Sequence, residues 1–259
     1  MKFKVAIPSY NRAEHISELT INTLLTKNIK PKQIDIFVAN DEEYVKYKNQ
    51  LSETLYNEII VGEKGKQNQL NFIREFYSKK QRLLNLDDDI STIKYVRNGK
   101  LEDLKDLNSY SNMIFKYLNK SKTGLCGTYY PRNPFFMKHR LDLNFYHCEG
   151  GMYWTINNPS PKLHTFLKTC EDLEFSLKNY EYYGKVMRTC EVCFFDATLY
   201  GNHSNLKKGY DDNYQVPYRE KLIRKYPHLI RWYMKNGNYF IKPIKQPNHE
   251  RIILREREL

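Results

Sequence analysis

Arg82-Leu83-Leu84-Asn85-Leu86-Asp87-Asp88-Asp89 is the stretch on which the reading of the fold turns. A short apolar run ends abruptly in three consecutive carboxylates. The run has the length of a buried strand, and the acidic triplet is its stop. Toward the N-terminus the same pattern recurs. Phe3-Lys4-Val5-Ala6-Ile7 reads as a strand ending at Pro8-Ser9-Tyr10-Asn11-Arg12. Ile34-Asp35-Ile36-Phe37-Val38-Ala39 reads as a second, closed by Asn40-Asp41, and Glu58-Ile59-Ile60-Val61 as a third, followed by Gly62-Glu63-Lys64-Gly65-Lys66. Helical patterns lie between them. Ile16, Leu19, Ile21, Leu24 and Leu25 recur near helical spacing until Pro31. Tyr44, Tyr47 and Leu51 mark one side of a polar helix, and Leu70, Ile73 and Phe76 the inner side of another over 67–80.

Strands alternating with helices imply βαβ units: an α/β fold with a mostly parallel sheet flanked by helices. Such sheets bind ligands beyond the carboxyl ends of their strands. The polar loops after Ile7, Ala39, Val61 and Leu86 are therefore expected along one edge. The second half is less regular. Helices are expected over 107–119 and 170–183, and strands over 153–156 and 192–197. The stretch 124–140 reads as loop and strand, and 217–235 as one long basic, aromatic helix bent at Pro227. Residues 1–205 are read as the main domain and 206–259 as a basic segment packed on it.

The chain has 259 residues, 41% of them hydrophobic, which supplies a packed core and excludes wholesale disorder. No apolar run approaches the ~18 residues of a membrane helix. The opening Met1 to Ile7 has no signal-peptide layout, and five cysteines suit a reducing compartment, so a cytoplasmic location is expected. Lys and Arg number 42 against 30 Asp and Glu, a net charge of +12 that favours polyanionic partners.

The acidic triplet carries the first chemical inference. Adjacent like charges at a buried strand end are costly without a counter-ion, and a hard divalent cation with oxygen ligands answers that cost. In an extended segment Asp87 and Asp89 share a side while Asp88 faces elsewhere. The competing reading is a solvated acidic turn.

Val5-Ala6-Ile7-Pro8-Ser9-Tyr10-Asn11-Arg12 and Leu84-Asn85-Leu86-Asp87-Asp88-Asp89 together resemble the GT-A nucleotide-sugar glycosyltransferases of the inverting, family-2-like group. Four features match in order over about residues 3–205. The DxD element is Asp87-Asp88-Asp89, the glycine-containing acceptor loop is Gly150-Gly151, the xED element is Cys170-Glu171-Asp172, and the late histidine is His203. The resemblance implies Mn2+ or Mg2+ held by Asp87, Asp89 and His203 against the diphosphate of a nucleotide-sugar, with a UDP-sugar as the expected donor. It implies Asp172 as the general base, with Glu171 as its nearest rival. Donor contacts fall to Pro8, Ser9, Asn11, Arg12, Asp41 and Asp88, and acceptor contacts to Gly150, Gly151 and Trp154. The family's Gly-x-x-x-x-Arg-Asn pattern reads Gly65 to Asn71 here. Leu70 replaces its arginine, so Lys66 is assigned the positive charge beside Asn71.

From Lys207 onward, cations interleave with Tyr210, Tyr214, Tyr218, Tyr226, Trp232, Tyr233, Tyr239 and Phe240. Cations track phosphates, and aromatic faces stack on exposed bases. This segment resembles, more weakly, the glycosyltransferases with which phages decorate hydroxymethylated pyrimidines, including the TET-associated group, and makes DNA the expected acceptor. The alternatives are a glycan, lipid-linked or protein acceptor, a non-catalytic nucleic-acid-binding module, and a nucleotidyltransferase, whose usual Gly-rich opening loop is missing. His139, His147 and His164 are less well placed than His203. Cys190 and Cys193, flanked by apolar residues, read as core cysteines rather than a zinc pair.

Overall fold

Apolar runs too short for helices and too continuous for solvated strands pair into a central sheet. In the computed structural model, which describes residues 3–129, 131–148, 150–197, 212–235 and 238–254, the strands are β1 (Lys4–Pro8), β2 (Ile34–Val38), β3 (Glu58–Val61), β4 (Arg82–Leu86), β5 (Ile90–Arg97), β6 (Lys100–Asp103), β7 (Leu125–Gly127), β8 (Arg140–Asn144), β9 (Met152–Ile156), β10 (Val186–Thr189), β11 (Val192–Asp196), β12 (Ile230–Lys235), β13 (Asn238–Pro243) and β14 (Glu250–Ile253). The helices are α1 (Ala13–Ile16), continued through a π-turn into α2 (Asn22–Leu25), then α3 (Asp41–Gln50), α4 (Lys66–Phe76), α5 (Leu107–Ser121), α6 (Glu171–Tyr183) and α7 (Asp212–Lys225).

The nine-stranded sheet has the order β14-β8-β10-β7-β9-β4-β1-β2-β3. β1 is parallel to β2 and β4, β2 to β3, and β7 to β10. β9 lies antiparallel between β4 and β7, and β8 antiparallel between β10 and β14. Every strand except β8 and β9 therefore runs the same way, as the sequence pattern predicts. A smaller sheet, β11-β5-β6, stands at the tip of β4.

Both faces of β1 and β2 are covered. Val5 and Ile7 join Ile16, Ile21, Leu24 and Trp154 on one side, while Ala6 and Phe37 meet Leu70, Ile73 and Tyr77 of the α4 layer on the other. The one carboxylate inside β2, Asp35, is satisfied by Lys4 Nζ (3.2 Å), Asn57 Nδ2 (2.7 Å) and Tyr77 OH (2.6 Å). A buried charge survives because its partners are supplied.

Two expectations are corrected. The long helix over 217–235 stops at Lys225, because Pro227 interrupts it and Ile230-Arg231-Trp232-Tyr233 alternates with the period of a strand. The chain turns there into the β12–β13 hairpin. Trp154, expected at an acceptor, is wholly buried under α5; its Nε1 donates to Ser111 Oγ at 2.9 Å and its ring lies 5.9 Å from Tyr110. Strand alternation sends it to the face opposite Tyr153. The C-terminal segment docks on α6 through Leu222, Tyr226, Leu229 and Ile230 against Leu173 and Leu177, and its β14 edges the central sheet. Cys190 and Cys193 are buried and unpaired. Among the described residues, no helix is long and apolar enough to cross a membrane.

Trp154→Ala is expected to cost about 3–5 kcal/mol through the cavity and the orphaned Ser111 hydroxyl. Equilibrium unfolding in urea checks this; a loss below about 1 kcal/mol contradicts the burial.

Candidate active site

The register of β4 sets the site. Leu86 pairs with Met152, and Asp87 N donates to Gly151 O at 3.0 Å, so the acidic triplet and the glycine loop emerge side by side. Asp88 and Asp89 then turn into β5. Thr20 clamps this turn from both sides: its Oγ1 donates to Asp87 O (2.8 Å) and accepts from Ile90 N (2.9 Å). The expectation that Asp87 and Asp89 share a side with Asp88 apart is therefore corrected, since a turn breaks the period of two. Arg12 Nη1 reaches both Asp88 Oδ1 (2.7 Å) and Asp89 Oδ2 (2.8 Å). Asp87 points instead to Lys66, whose Nζ donates to its Oδ2 at 3.0 Å.

Asp88 is buried, and Ser9 Oγ also donates to its Oδ2 at 2.5 Å. Burial pushes its carboxyl up to about 6, against the opposing pull of Arg12 and Ser9. Asp89 is raised as well, first by burial and then by the Asp87 carboxylate. The loop after β1 is fixed to α3: Tyr47 OH donates to Ser9 Oγ (2.6 Å) and accepts from Arg12 N (3.1 Å). Asn11, in the left-handed region (φ 54°), donates from its N to Glu43 Oε2 and accepts at Oδ1 from Lys46 Nζ. Pro8 ends β1, and Asp41 lies exposed in the first turn of α3, behind the Asn40 cap. These residues gather at the carboxyl ends of β1 and β2, on the expected edge. Ser9, Arg12 and Asp88 are already committed to one another there.

The N-terminus of α6 closes the opposite wall. Lys66 Nζ lies 3.7 Å from Glu171 Oε1, so this lysine joins Asp87 to the helix. Burial raises the Glu171 carboxyl, while Lys66 opposes. Asp172 behaves differently. Its Oδ1 accepts from Leu173 N (2.7 Å), and His147 Nε2 donates to its Oδ2 at 2.9 Å. Burial alone would raise it, but His147, the Leu173 amide and Lys66 hold it down at about 2. Gly150 faces this group: a Cβ there would stand 3.5 Å from Asp172 Cβ and 3.7 Å from Lys66 Nζ. At Gly151 a Cβ would fall 2.4 Å from the buried Phe194 ring, so any larger residue would have to displace that ring.

His147 is the residue that the sequence reading passed over. Its cue was its place two residues before the Glu149-Gly150-Gly151 loop. Asn71, expected at the donor, spends its amide elsewhere: Nδ2 donates to Thr165 O (2.7 Å), and Oδ1 accepts from Thr165 N (3.0 Å) and Arg74 Nη1 (2.7 Å). It fastens the loop before α6.

A divalent cation fits the triplet in one respect. Asp87 and Asp89 are hard oxygen donors close enough to repel, and among the described residues Oδ1 of each accepts no hydrogen bond. No group of three or more His, Cys, Asp or Glu among the described residues forms a metal cage, so phosphate or water oxygens would have to complete the shell. His203, the expected third ligand, lies outside the described residues.

No family model matches the sequence, and no curated protein matches it. Solved structures do. Staphylococcus aureus TarS 1–349 in complex with UDP is 14% identical at a TM-score of 0.50, covering 86% of this chain and 72% of that one. The mannosyltransferase PcManGT from Pyrobaculum calidifontis, in complex with GDP-Man and Mn2+, is 11% identical at a TM-score of 0.50, covering 87% of this chain and 63% of that one. The chain spans 36% of a longer S. aureus TarS chain. At such identities the likeness is one of architecture: the chain has a GT-A-like glycosyltransferase fold.

Arg12→Gln leaves the Asp88 carboxylate buried without its cation. It is expected to cost about 3–5 kcal/mol at pH 7.5. The loss should shrink at pH 5, because a carboxyl raised to about 6 takes up a proton there and no longer needs the guanidinium. Urea unfolding at both pH values checks this; equal losses contradict it.

Proposed function

We propose that the chain is a metal-dependent inverting glycosyltransferase that moves a sugar from a nucleotide diphosphate, with a UDP-sugar as donor, to an acceptor hydroxyl. The supporting observation is a single run of contacts. Lys66 ties the strand-end carboxylate Asp87 to the α6 acid pair, and His147 ties Asp172 to the glycine loop. Strand-end carboxylates and the proposed carboxylate base are thereby linked through Lys66 beside Gly150.

Asp87 and Asp89 would hold Mn2+ or Mg2+, with His203 as the proposed third ligand. When bound, the metal neutralises charge developing on the diphosphate leaving group. Pro8, Ser9, Asn11, Arg12 and Asp41 border the nucleoside side of the site, and Lys66 adds a positive charge beside the phosphates. Asp172 takes the acceptor proton as the hydroxyl oxygen bonds to the anomeric carbon and the sugar–phosphate bond breaks on the opposite face. At about 2, its carboxyl stays ionised at any working pH. His147 holds the carboxylate toward the acceptor. Glu171 suits the role less, since Lys66 faces it and its side chain is only 12% exposed.

For the acceptor we infer a hydroxymethylated pyrimidine in DNA. The +12 net charge and the exposed Tyr214, Tyr233 and Phe240 among the cations from Lys207 onward support this reading.

Asp172→Asn is expected to lower transfer by about 100-fold or more, with nucleotide-sugar affinity changed less than about threefold. His147→Gln is expected to lower it by about tenfold. Mass spectrometry of nucleosides from hydroxymethylated DNA reads the transfer, and calorimetry with UDP-sugar and Mn2+ reads the affinity. Transfer at the wild-type rate in Asp172→Asn contradicts the assignment.

A further inference from the structure

On the α6 side of the sheet, three arginines converge on one carboxylate. Asp142 of β8 is 1% exposed, and strand register places Arg188 of β10 beside it on one side and Arg251 of β14 on the other. Arg140 precedes it by two residues on the same face. Arg140 Nε lies 2.8 Å from Oδ1, Arg188 Nη2 3.3 Å from Oδ2, and Arg251 Nε 3.9 Å from Oδ1. His249 Nε2 stands 3.7 Å away, and Lys245 is near enough to act on His249. Cys190 Sγ donates to Oδ2 at 3.2 Å. Burial would raise the Asp142 carboxyl, but the Cys190 thiol, Arg140 and Arg188 hold it below the usual carboxylate range. It stays ionised and balances one guanidinium. Among the described residues of the cluster, two positive charges remain over.

That surplus is held in place. The Arg188 guanidinium lies 3.9 Å from the Tyr146 ring and 5.0 Å from that of Tyr129, and its buried Nε has no hydrogen-bond partner among the described residues. Tyr146 OH is in turn 3.0 Å from His249 Nε2. Like charges gathered this tightly repel, and a structural ion pair needs only one of them. The guanidinium side chains are still open to solvent, at 54% for Arg251, 27% for Arg140 and 23% for Arg188. Planar forks open on one side are suited to phosphate oxygens.

The cluster also lies on the side of the proposed base. Val186, on the same face of β10 as Arg188, packs with Cys148, Tyr153 and Phe175 of the α6 layer. The chain runs from Tyr146, against Arg188, directly to His147, against Asp172. We propose that Arg140, Arg188 and Arg251 form a phosphodiester-binding subsite that seats the backbone of a nucleic-acid acceptor beside the transfer site. This subsite rests on the glycosyltransferase reading for its role, though not for its chemistry.

The test is anisotropy of a labelled 20-base-pair DNA duplex against the full chain over a range of salt concentrations. The Arg140→Gln/Arg251→Gln double variant is expected to bind about tenfold more weakly at 100 mM salt. Its slope of log affinity against log salt should be shallower by about 2, because two phosphate contacts are lost. Arg251→Gln alone, on an exposed edge strand, is expected to lose about half of that slope, which guards against a misfolded double variant. Lys120→Gln, removing a charge from the outer side of α5, is expected to change affinity less than twofold. Arginine variants indistinguishable from Lys120→Gln overturn the subsite, as does a wild-type chain that does not bind the duplex. Calorimetry of the wild-type chain with UDP-sugar is run in parallel. No donor binding together with arginine-dependent duplex binding supports the subsite and overturns the glycosyltransferase reading.

Discussion

The site is organised by one electrostatic problem: three adjacent carboxylates at the end of a buried strand. Water cannot solvate them fully there, so the protein supplies cations from two directions. Arg12, from the loop after β1, takes Asp88 and Asp89, while Lys66, from the start of α4, takes Asp87. Each pairing fixes an element. Arg12 draws the loop after β1 onto the tip of β4, and Ser9 and Tyr47 extend the hold to α3. Lys66 bridges the tip of β4 to α6 through Glu171. The strand-end carboxylates therefore also hold these elements together.

The same logic separates the roles of the acid pair on α6. Glu171 and Asp172 are sequence neighbours in one helical turn, yet their carboxyls move in opposite directions. Burial dominates at Glu171 and raises it, while His147 and the Leu173 amide dominate at Asp172 and lower it. Two neighbouring carboxylates given different environments shift in opposite directions, which favours Asp172 over Glu171 for the proposed base. Distance along the sheet then orders the surface, with the strand-end carboxylates at β4, the proposed base at the start of α6, and the arginine cluster on β8, β10 and β14.

Much of this was legible in the sequence, and what was not has physical reasons. Strands β1 to β4 are buried on both faces, so they read as continuous apolar runs; the expected strand over Arg82 to Leu86 is the observed β4. β8 and β10 carry Arg140, Asp142 and Arg188 on one face and escape a search for apolar runs. The β5–β6 hairpin had a local cue in Asn98-Gly99, both at positive φ, which suits a two-residue turn. Asp87 and Asp172 stood out in the sequence by motif and order. Their partners did not, because Arg12 meets Asp88 across 76 residues and His147 meets Asp172 across 25, contacts that only the strand order creates. Trp154 illustrates the same limit: one step along β9 moves a side chain from the α6 face to the α5 core.

The central claim is that Asp87 and Asp89 hold a divalent cation against a nucleotide diphosphate. Electron paramagnetic resonance of Mn2+ added with UDP tests it most directly. Wild-type chain is predicted to retain one equivalent of bound Mn2+, and Asp89→Asn, folded to the same degree, to release it. Equal retention by both proteins, or none by the wild type in the presence of UDP, would contradict it.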